Sequence, residues 1–493
     1  MMPFKILLGV NKKLSTPVYQ QIANKLIGLI QEGIIRPGSL LPSSREMAAV
    51  LTLHRKTIVA AYQELSAQDW ITPIARKGIM VSENLPQIKP RSFKANTKTQ
   101  AYGMNAGFPF IQTNTPLAFA NAAGSHRLII DDGFPDARQV PVGLLLKEYN
   151  KLYQQSPVRR RQVFGNQAGA LSLRLAIIKF LSGTRGIHST ENNVIVTRGA
   201  QMALYMAARM IIHPGSVVVV AEPNYNTANL LFQQCGARLA KVPADENGID
   251  VDAIERLCKK KKPDLLYIIP HHHHPTTVTL SSQRRMKLLE LIRQYNLPVI
   301  EDDYDYDFHY NSSPILPLAS ADHNGNVIYI GSLTKSMSSA VKLGYMIAPV
   351  NFIAEALKLR RLIDIRGDSL IEEAMAVLFN NGEMQKHLKK SLKLYHQRRD
   401  MFCSLLKNEM GDIVLFDKPA GGMAVWAKFN KKNPLPLVSS KASAMGLYMS
   451  DGSFYDSGNV HYNALRIGFA SLNEKEMHEI VQILKKVTRM GAK

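Results

Sequence analysis

The chain has 493 residues, 46% of them hydrophobic, and a formal net charge of +22. That apolar content excludes a globally disordered polymer, and the length leaves room for two or three domains. Its three cysteines, Cys235, Cys258 and Cys403, are far apart and form no CxxC pair, which argues against a disulfide framework or a zinc site. No apolar run reaches the roughly 18 residues of a membrane span. The opening MMPFKILLGVNKK is too short in apolar residues for a signal peptide, so a reducing cytoplasm is expected and no membrane partner.

The charge is uneven. Residues 1–100 hold 14 Lys and Arg against 5 Asp and Glu, a basic excess per residue nearly three times that of the remainder. A surplus of this kind points to a polyanionic partner. Between Thr16 and Gln31, Val18, Ile22, Leu26 and Leu29 recur at three- and four-residue spacing, one face of an amphipathic helix. Gly33 and Arg36-Pro37-Gly38 end it. Ser43 and Glu46 have capping-box spacing and open a second helix, with Met47, Val50 and Leu51 as its expected apolar face. A third helix starts near His54. Ile58, Tyr62 and Leu65 form its inner face, and Arg55, Lys56 and Thr57 stand at its exposed start. Trp70–Val81 reads as a small hairpin with a basic tip, Arg76-Lys77-Gly78.

A helix, a tight turn and a second helix with basic residues at its start make a helix-turn-helix, which enters the major groove N-terminus first. The stretch YQQIANKLIGLIQEGIIRPGSLLPSSREMAAVL, continued by TIVAAYQELSAQDWI, resembles the GntR winged-helix family. The resemblance implies double-stranded DNA as a partner, with Arg45, Arg55, Lys56, Thr57, Arg76 and Lys77 as contacts.

Residues 1–82 are therefore read as a DNA-binding domain. Residues 83–127, with Pro86, Lys89-Pro90-Arg91, Lys94 and Lys98 and no sustained period, read as a basic flexible linker. Residues 128–493 form the remaining domain, its larger part about 160–350 and a smaller C-terminal part about 351–493. Order resumes near Leu128–Gly133, and helices flank Phe164-Gly165-Asn166. The apolar segments NVIV, VVVV, DLLYII, LPVIEDD and VIYIG alternate with helical patterns. That predicts a mostly parallel sheet covered by helices on both faces.

Several strand ends carry chemistry. Val194–Leu204, VIVTRGAQMAL, turns from strand into helix at Gly199-Ala200-Gln201, where backbone N–H groups would cradle a phosphate. Ala221–Tyr225, AEPNY, offers an aromatic ring. Pro298–Phe308, PVIEDDYDYDF, puts Asp302 and Tyr304 on one face of an extended segment. Val327–Pro349, VIYIGSLTKSMSSAVKLGYMIAP, presents one lysine, Lys335, beyond a buried strand. A desolvated lysine loses its proton more readily and attacks an aldehyde. A carboxylate for a pyridine nitrogen, a donor for a phenolic oxygen, a phosphate cradle and an amine are what pyridoxal 5'-phosphate (PLP) requires.

In this order the segments resemble the fold-type I, class I/II aminotransferases. The resemblance implies Lys335 as the Schiff-base lysine, Asp302 as the pyridinium partner and Tyr304 on the ring oxygen. It implies Tyr225 as the stacking ring, with Gly199, Ala200, Gln201 and Ser332 on the phosphate. Arg466, in ALRIGFASL, would clamp a substrate carboxylate. Where the family usually has a phosphate-binding arginine, this chain has Lys342, which keeps the charge but lacks the planar fork. Ser338-Ser339 replace the usual small-Pro pair. His271–His274 follow a strand at the place of an active-site loop, with His274 where the family has an asparagine. No metal is expected there, since consecutive residues of an extended loop point apart, nor at Asp302, Asp303, Asp305 and Asp307, which lack the spacing of a calcium loop.

A GntR reader joined to such a domain resembles the MocR-type regulators. The expected architecture is multidomain: a winged helix-turn-helix, then an α/β PLP-dependent transferase fold with a small α+β C-terminal subdomain. The resemblance implies a PLP-bound homodimer whose effector, an amine, an amino acid or PLP itself, reorients the DNA readers. The alternative is a genuine aminotransferase carrying a DNA-binding domain, a reading that Lys342 slightly weakens.

Overall fold

The computed structural model describes residues 2–11, 14, 16–74, 78–85, 105–110, 126–154, 166–310, 315–338, 340–457 and 460–489. They fall in two compact units, Met1–Gln112 and Thr113–Lys493. Most of the expected linker, along with Arg76, Lys77, Phe164, Gly165 and Ser339, lies outside the described residues.

The first unit contains α1 (Phe4–Leu7), α2 (Val18–Gln31), β1 (Leu40–Leu41), α3 (Ser44–Leu51), α4 (Arg55–Ala67), β2 (Ile71–Ile74) and β3 (Gly78–Val81). In α2, Ile22, Leu26 and Leu29 are buried as their spacing requires. The capping box of α3 is closed in both directions. Glu46 N donates to Ser43 Oγ at 3.3 Å, and Ser43 N donates to Glu46 Oε2 at 2.8 Å. Thr52, at φ 53°, makes the turn, and His54 caps α4 by accepting from Lys56 N. Ile58, Tyr62 and Leu65 pack inward, and Tyr62 Oη donates to Pro42 O at 2.8 Å. One expectation fails: the buried face of α3 is Met47 and Ala48, and Val50 is exposed. At 3.6 residues per turn Val50 stands about 110° from the centre of that face. The wing is the three-stranded sheet β1-β3-β2, with Ile71 opposite Val81.

The second unit is built on an eight-stranded sheet, in order β5-β12-β11-β10-β9-β6-β7-β8. The strands are β5 (Val194–Thr197), β6 (Val217–Glu222), β7 (Arg238–Asp245), β8 (Gly248–Ile249), β9 (Leu265–Ile268), β10 (Val299–Asp303), β11 (Val327–Ser332) and β12 (Gly344–Ile347). Strands β11, β10, β9, β6 and β7 run parallel, β12 is antiparallel to both its neighbours, and β8 closes a hairpin with β7. The central strands are buried on both faces, which explains their unbroken apolar sequences. The sheet thus matches the α/β reading. Strand β7 was not expected, because its Arg238, Lys241 and Asp245 break an apolar run.

A smaller C-terminal part carries the antiparallel sheet β13 (Val414–Leu415), β14 (Ala424–Phe429), β16 (Ala464–Gly468), packed with the helices Glu383–Met410 and Glu474–Arg489. The opening segment β4 (Leu128–Ile129) pairs in parallel with β15 (Leu447–Tyr448), tying the start of the unit to its C-terminal part. Among the described residues, no helix is long and apolar enough to cross a membrane.

Candidate functional site

The carboxyl ends of β5, β9, β10 and β11 converge on one cavity of about 230 Å³. In open α/β sheets this edge is where ligands sit. Lys335, Asp302, Tyr304, Tyr225 and His274 line it, and so do Gly199, Ala200, Gln201, Ser332 and Lys342. Residues scattered over 144 positions of sequence are brought together by the parallel strand order.

Asp302 lies one residue before the end of β10 in the register expected of alternation, with Tyr304 two residues on facing the same cavity and Asp303 turned away. Asp303 accepts from Tyr329 Oη at 2.8 Å instead. Asp302 Oδ2 accepts a 2.8 Å hydrogen bond from Tyr267 Oη, whereas Oδ1 is buried without a partner among the described residues. Burial pushes the Asp302 carboxyl up to about 7. A buried carboxylate oxygen with nothing to accept from is the half-site that a pyridinium N–H completes.

Lys335 stands beyond β11. Its Nζ donates to Gly133 O at 2.6 Å and lies 3.9 Å from the Phe134 ring centroid. Burial lowers its pKa, partly opposed by the nearby Asp132 carboxylate. The amine therefore releases its proton more easily than a surface lysine, as a nucleophile toward a carbonyl requires.

At the other end of the cavity, Gly199 (φ 78°) is the N-cap of the helix Ala200–Ile211, so its first free N–H groups belong to this turn. Gly344 of β12 lies against the turn: a Cβ there would come within 2.5 Å of Gly199 C and 2.7 Å of Ala200 N. Ser332, Thr334 and the exposed Lys342 complete that end, a donor set suited to a phosphate. The residues present thus fit PLP at both ends.

His271–His274 are all buried and point apart. His271 Nδ1 lies 3.1 Å from Asp303 Oδ1, His272 Nδ1 lies 3.0 Å from Asp305 Oδ1, and His273 Nδ1 lies 2.9 Å from Thr276 Oγ1. Only His274 lines the cavity, where its Nε2 meets Asp132 Oδ2 at 2.8 Å. Among the described residues, no three His, Cys, Asp or Glu side chains gather as a metal site.

Arg466 is buried beside the cavity. Its Nη2 donates to Tyr304 Oη at 3.1 Å, its Nε lies 3.3 Å from Asp132 Oδ1, and its Nη1 is buried without a partner among the described residues. Tyr304 Oη in turn donates to His272 O at 3.1 Å. Asp132, Phe134, Thr334 and Tyr267 were not singled out from the sequence. Asp132 and Phe134 arrive on the segment after β4, about 200 residues before Lys335, with no local pattern to mark them.

In the first unit, Arg45, Arg55 and Lys56 are exposed and Thr57 is half-buried around the junction of α3 and α4, where Arg55 Nε donates to Ser44 Oγ at 3.3 Å. Arg76 and Lys77 lie outside the described residues.

Residues 144–484 match the family Aminotransferase class I and II, and residues 18–81 match Bacterial regulatory proteins, gntR family. An HTH-type transcriptional regulator of Bacillus subtilis, YdfD, is 26% identical over 96% of this chain and 97% of its own length. The probable rhizopine catabolism regulatory protein MocR of Rhizobium meliloti is 24% identical over 97% and 95%. The chain is a MocR-type member of the class I and II aminotransferase family. The fold of its aminotransferase domain is also that of LysN, an α-aminoadipate aminotransferase of Thermus thermophilus. That structure, complexed with N-(5'-phosphopyridoxyl)-L-leucine, matches at a TM-score of 0.68 and 23% identity, covering 76% of this chain and 98% of that one. Along this MocR-type chain the gntR-family match precedes the aminotransferase match.

Proposed function

We propose that this chain is a PLP-dependent transcriptional regulator. It binds double-stranded operator DNA through its first unit and senses an amine, an amino acid or PLP itself at Lys335. The observation that carries the reading is the buried, unpartnered Asp302 Oδ1 in the same cavity as a desolvated lysine and a helix N-terminus. When bound, PLP supplies an aldehyde that condenses with amines and a ring that draws electrons. Asp302 would hold the ring nitrogen's proton, Tyr225 would pack on the ring, and Gly199, Ala200, Gln201, Ser332 and Lys342 would anchor the phosphate. Tyr304, with Arg466 behind it, would fix the ring oxygen, and His274 would border the effector's place.

Arg45, Arg55, Lys56 and Thr57, with Arg76 and Lys77, contact the duplex. Phosphate contacts dominate the affinity and make it fall with salt. A homodimer with two readers requires two half-sites in the operator, and such a reader works in the cytoplasm. Effector binding regulates only if it favours one arrangement of the protein over another.

The test is a spectral titration of the PLP-loaded protein with amines and amino acids, with operator binding followed in parallel. A saturable spectral change coupled to a change in DNA affinity supports the sensor. Steady-state transfer of amino groups to a 2-oxo acid, with DNA affinity unmoved, would instead make it an aminotransferase with a DNA-binding domain.

A further inference from the structure

The effector end of the cavity already holds a carboxylate of the chain's own. Asp132 lies between three groups: Oδ2 meets His274 Nε2 at 2.8 Å, Oδ1 accepts from Tyr455 Oη at 3.1 Å, and Arg466 Nε is 3.3 Å from the same Oδ1. The Asp132 main-chain oxygen accepts from Arg466 Nε as well, at 3.2 Å. Arg466 has no exposed side-chain surface, while the Asp132 side chain remains 41% exposed and lines the cavity. The guanidinium is therefore seen from the cavity partly across a carboxylate that balances its charge.

From this we infer that Asp132 is a specificity-determining residue, selecting effectors whose amine-bearing carbon carries no carboxylate. The inference rests on the reading of this cavity as an amine-sensing site. An α-amino acid would have to bring its carboxylate to Arg466 alongside that of Asp132. Two like charges a few ångströms apart in a partly dry pocket repel strongly, and the ion pair already made must be loosened. A simple primary amine meets no such penalty, and its ammonium form is drawn toward Asp132 as it enters. Against the desolvation that pushes Asp132 up, His274, Arg466 and Lys335 hold its carboxyl well below the usual carboxylate range, so the charge persists at neutral pH.

The experiment compares pentylamine with L-norleucine, which differ by one carboxylate, on the full-length PLP-loaded protein. Dissociation constants come from calorimetry and from the cofactor's absorbance. The wild type is expected to bind pentylamine at least about tenfold more tightly. Asp132→Asn, which keeps the size and loses the charge, should move the ratio toward norleucine by a similar factor, and Asp132→Ser should do the same. Equal or tighter binding of norleucine by the wild type overturns the inference, and this needs no variant. An unchanged ratio in both variants, each shown to be yellow and folded, also overturns it. If neither compound binds to the yellow wild type, the amine-sensing reading falls, and this inference with it.

Discussion

Tyr267 Oη stands 2.8 Å from Asp302 Oδ2 and occupies that oxygen alone, leaving Oδ1 buried and unpartnered. Protonation of Asp302 in the cofactor-free protein is therefore governed by burial, which pushes it up to about 7 from an ordinary value of 3.8. Between those two values the folded protein binds more protons than the unfolded chain, so this group lowers stability as pH rises. Its contribution is neutral below about 3.8 and fully unfavourable above about 7, changing by ~1.4 kcal/mol per pH unit at most. Asp302→Asn should flatten this part of the profile, measured as urea midpoints of cofactor-free protein at pH 5 and pH 7.5. The same variant should hold PLP more weakly, since an amide cannot neutralise a pyridinium.

Lys335→Ala should abolish the yellow absorbance of the PLP-loaded protein and any lysine adduct trapped by borohydride. The fold should survive, because among the described residues the side chain's one hydrogen bond is to Gly133 O. A trapped adduct of undiminished yield on another lysine would show that Lys335 is the wrong amine.

Gly344→Ala places a Cβ within 2.5 Å of Gly199 C and 2.7 Å of Ala200 N. The contact is with main chain, which cannot swing aside. The variant should lose about 1–3 kcal/mol of stability. It should also lose PLP affinity out of proportion to that, because the displaced turn is the phosphate end of the cavity. Affinity equal to wild type would separate this turn from the phosphate.

Lys342→Arg restores a planar fork to the phosphate end. It should slow the loss of PLP on dialysis, with melting of the cofactor-free protein unchanged, since Lys342 is exposed.

Arg55→Ala together with Lys56→Ala should weaken operator binding and reduce the slope of log affinity against log salt by about two. An unchanged slope would remove both residues from the phosphate contacts.

Much of the cavity was legible because each parallel strand ends in a short signature: a Gly turn into a helix, an acid two residues before a tyrosine, a lysine beyond a Gly-Ser turn. Buried parallel strands read as apolar runs, so their ends stand out. Asp132 was illegible because its role exists only once β4 pairs with β15 and the following segment crosses to Lys335. Nothing in LIIDDGF marks which of two aspartates faces inward. Tyr267 was hidden for a related reason, as one aromatic among the apolar residues of β9. The antiparallel direction of β12 was likewise unreadable, because a strand's composition does not encode its polarity. The α3 face was misjudged at Val50, where eight residues offer too few turns to fix the buried direction.

The bond from Lys335 Nζ to Gly133 O joins the cavity's amine to the segment that follows β4. Were that nitrogen bonded to a carbonyl carbon, it would have fewer hydrogens to share, and the Gly133 oxygen would have to give up its donor or find another. Occupancy of the pocket would thus be written directly into the main-chain hydrogen bonding of the segment that follows β4.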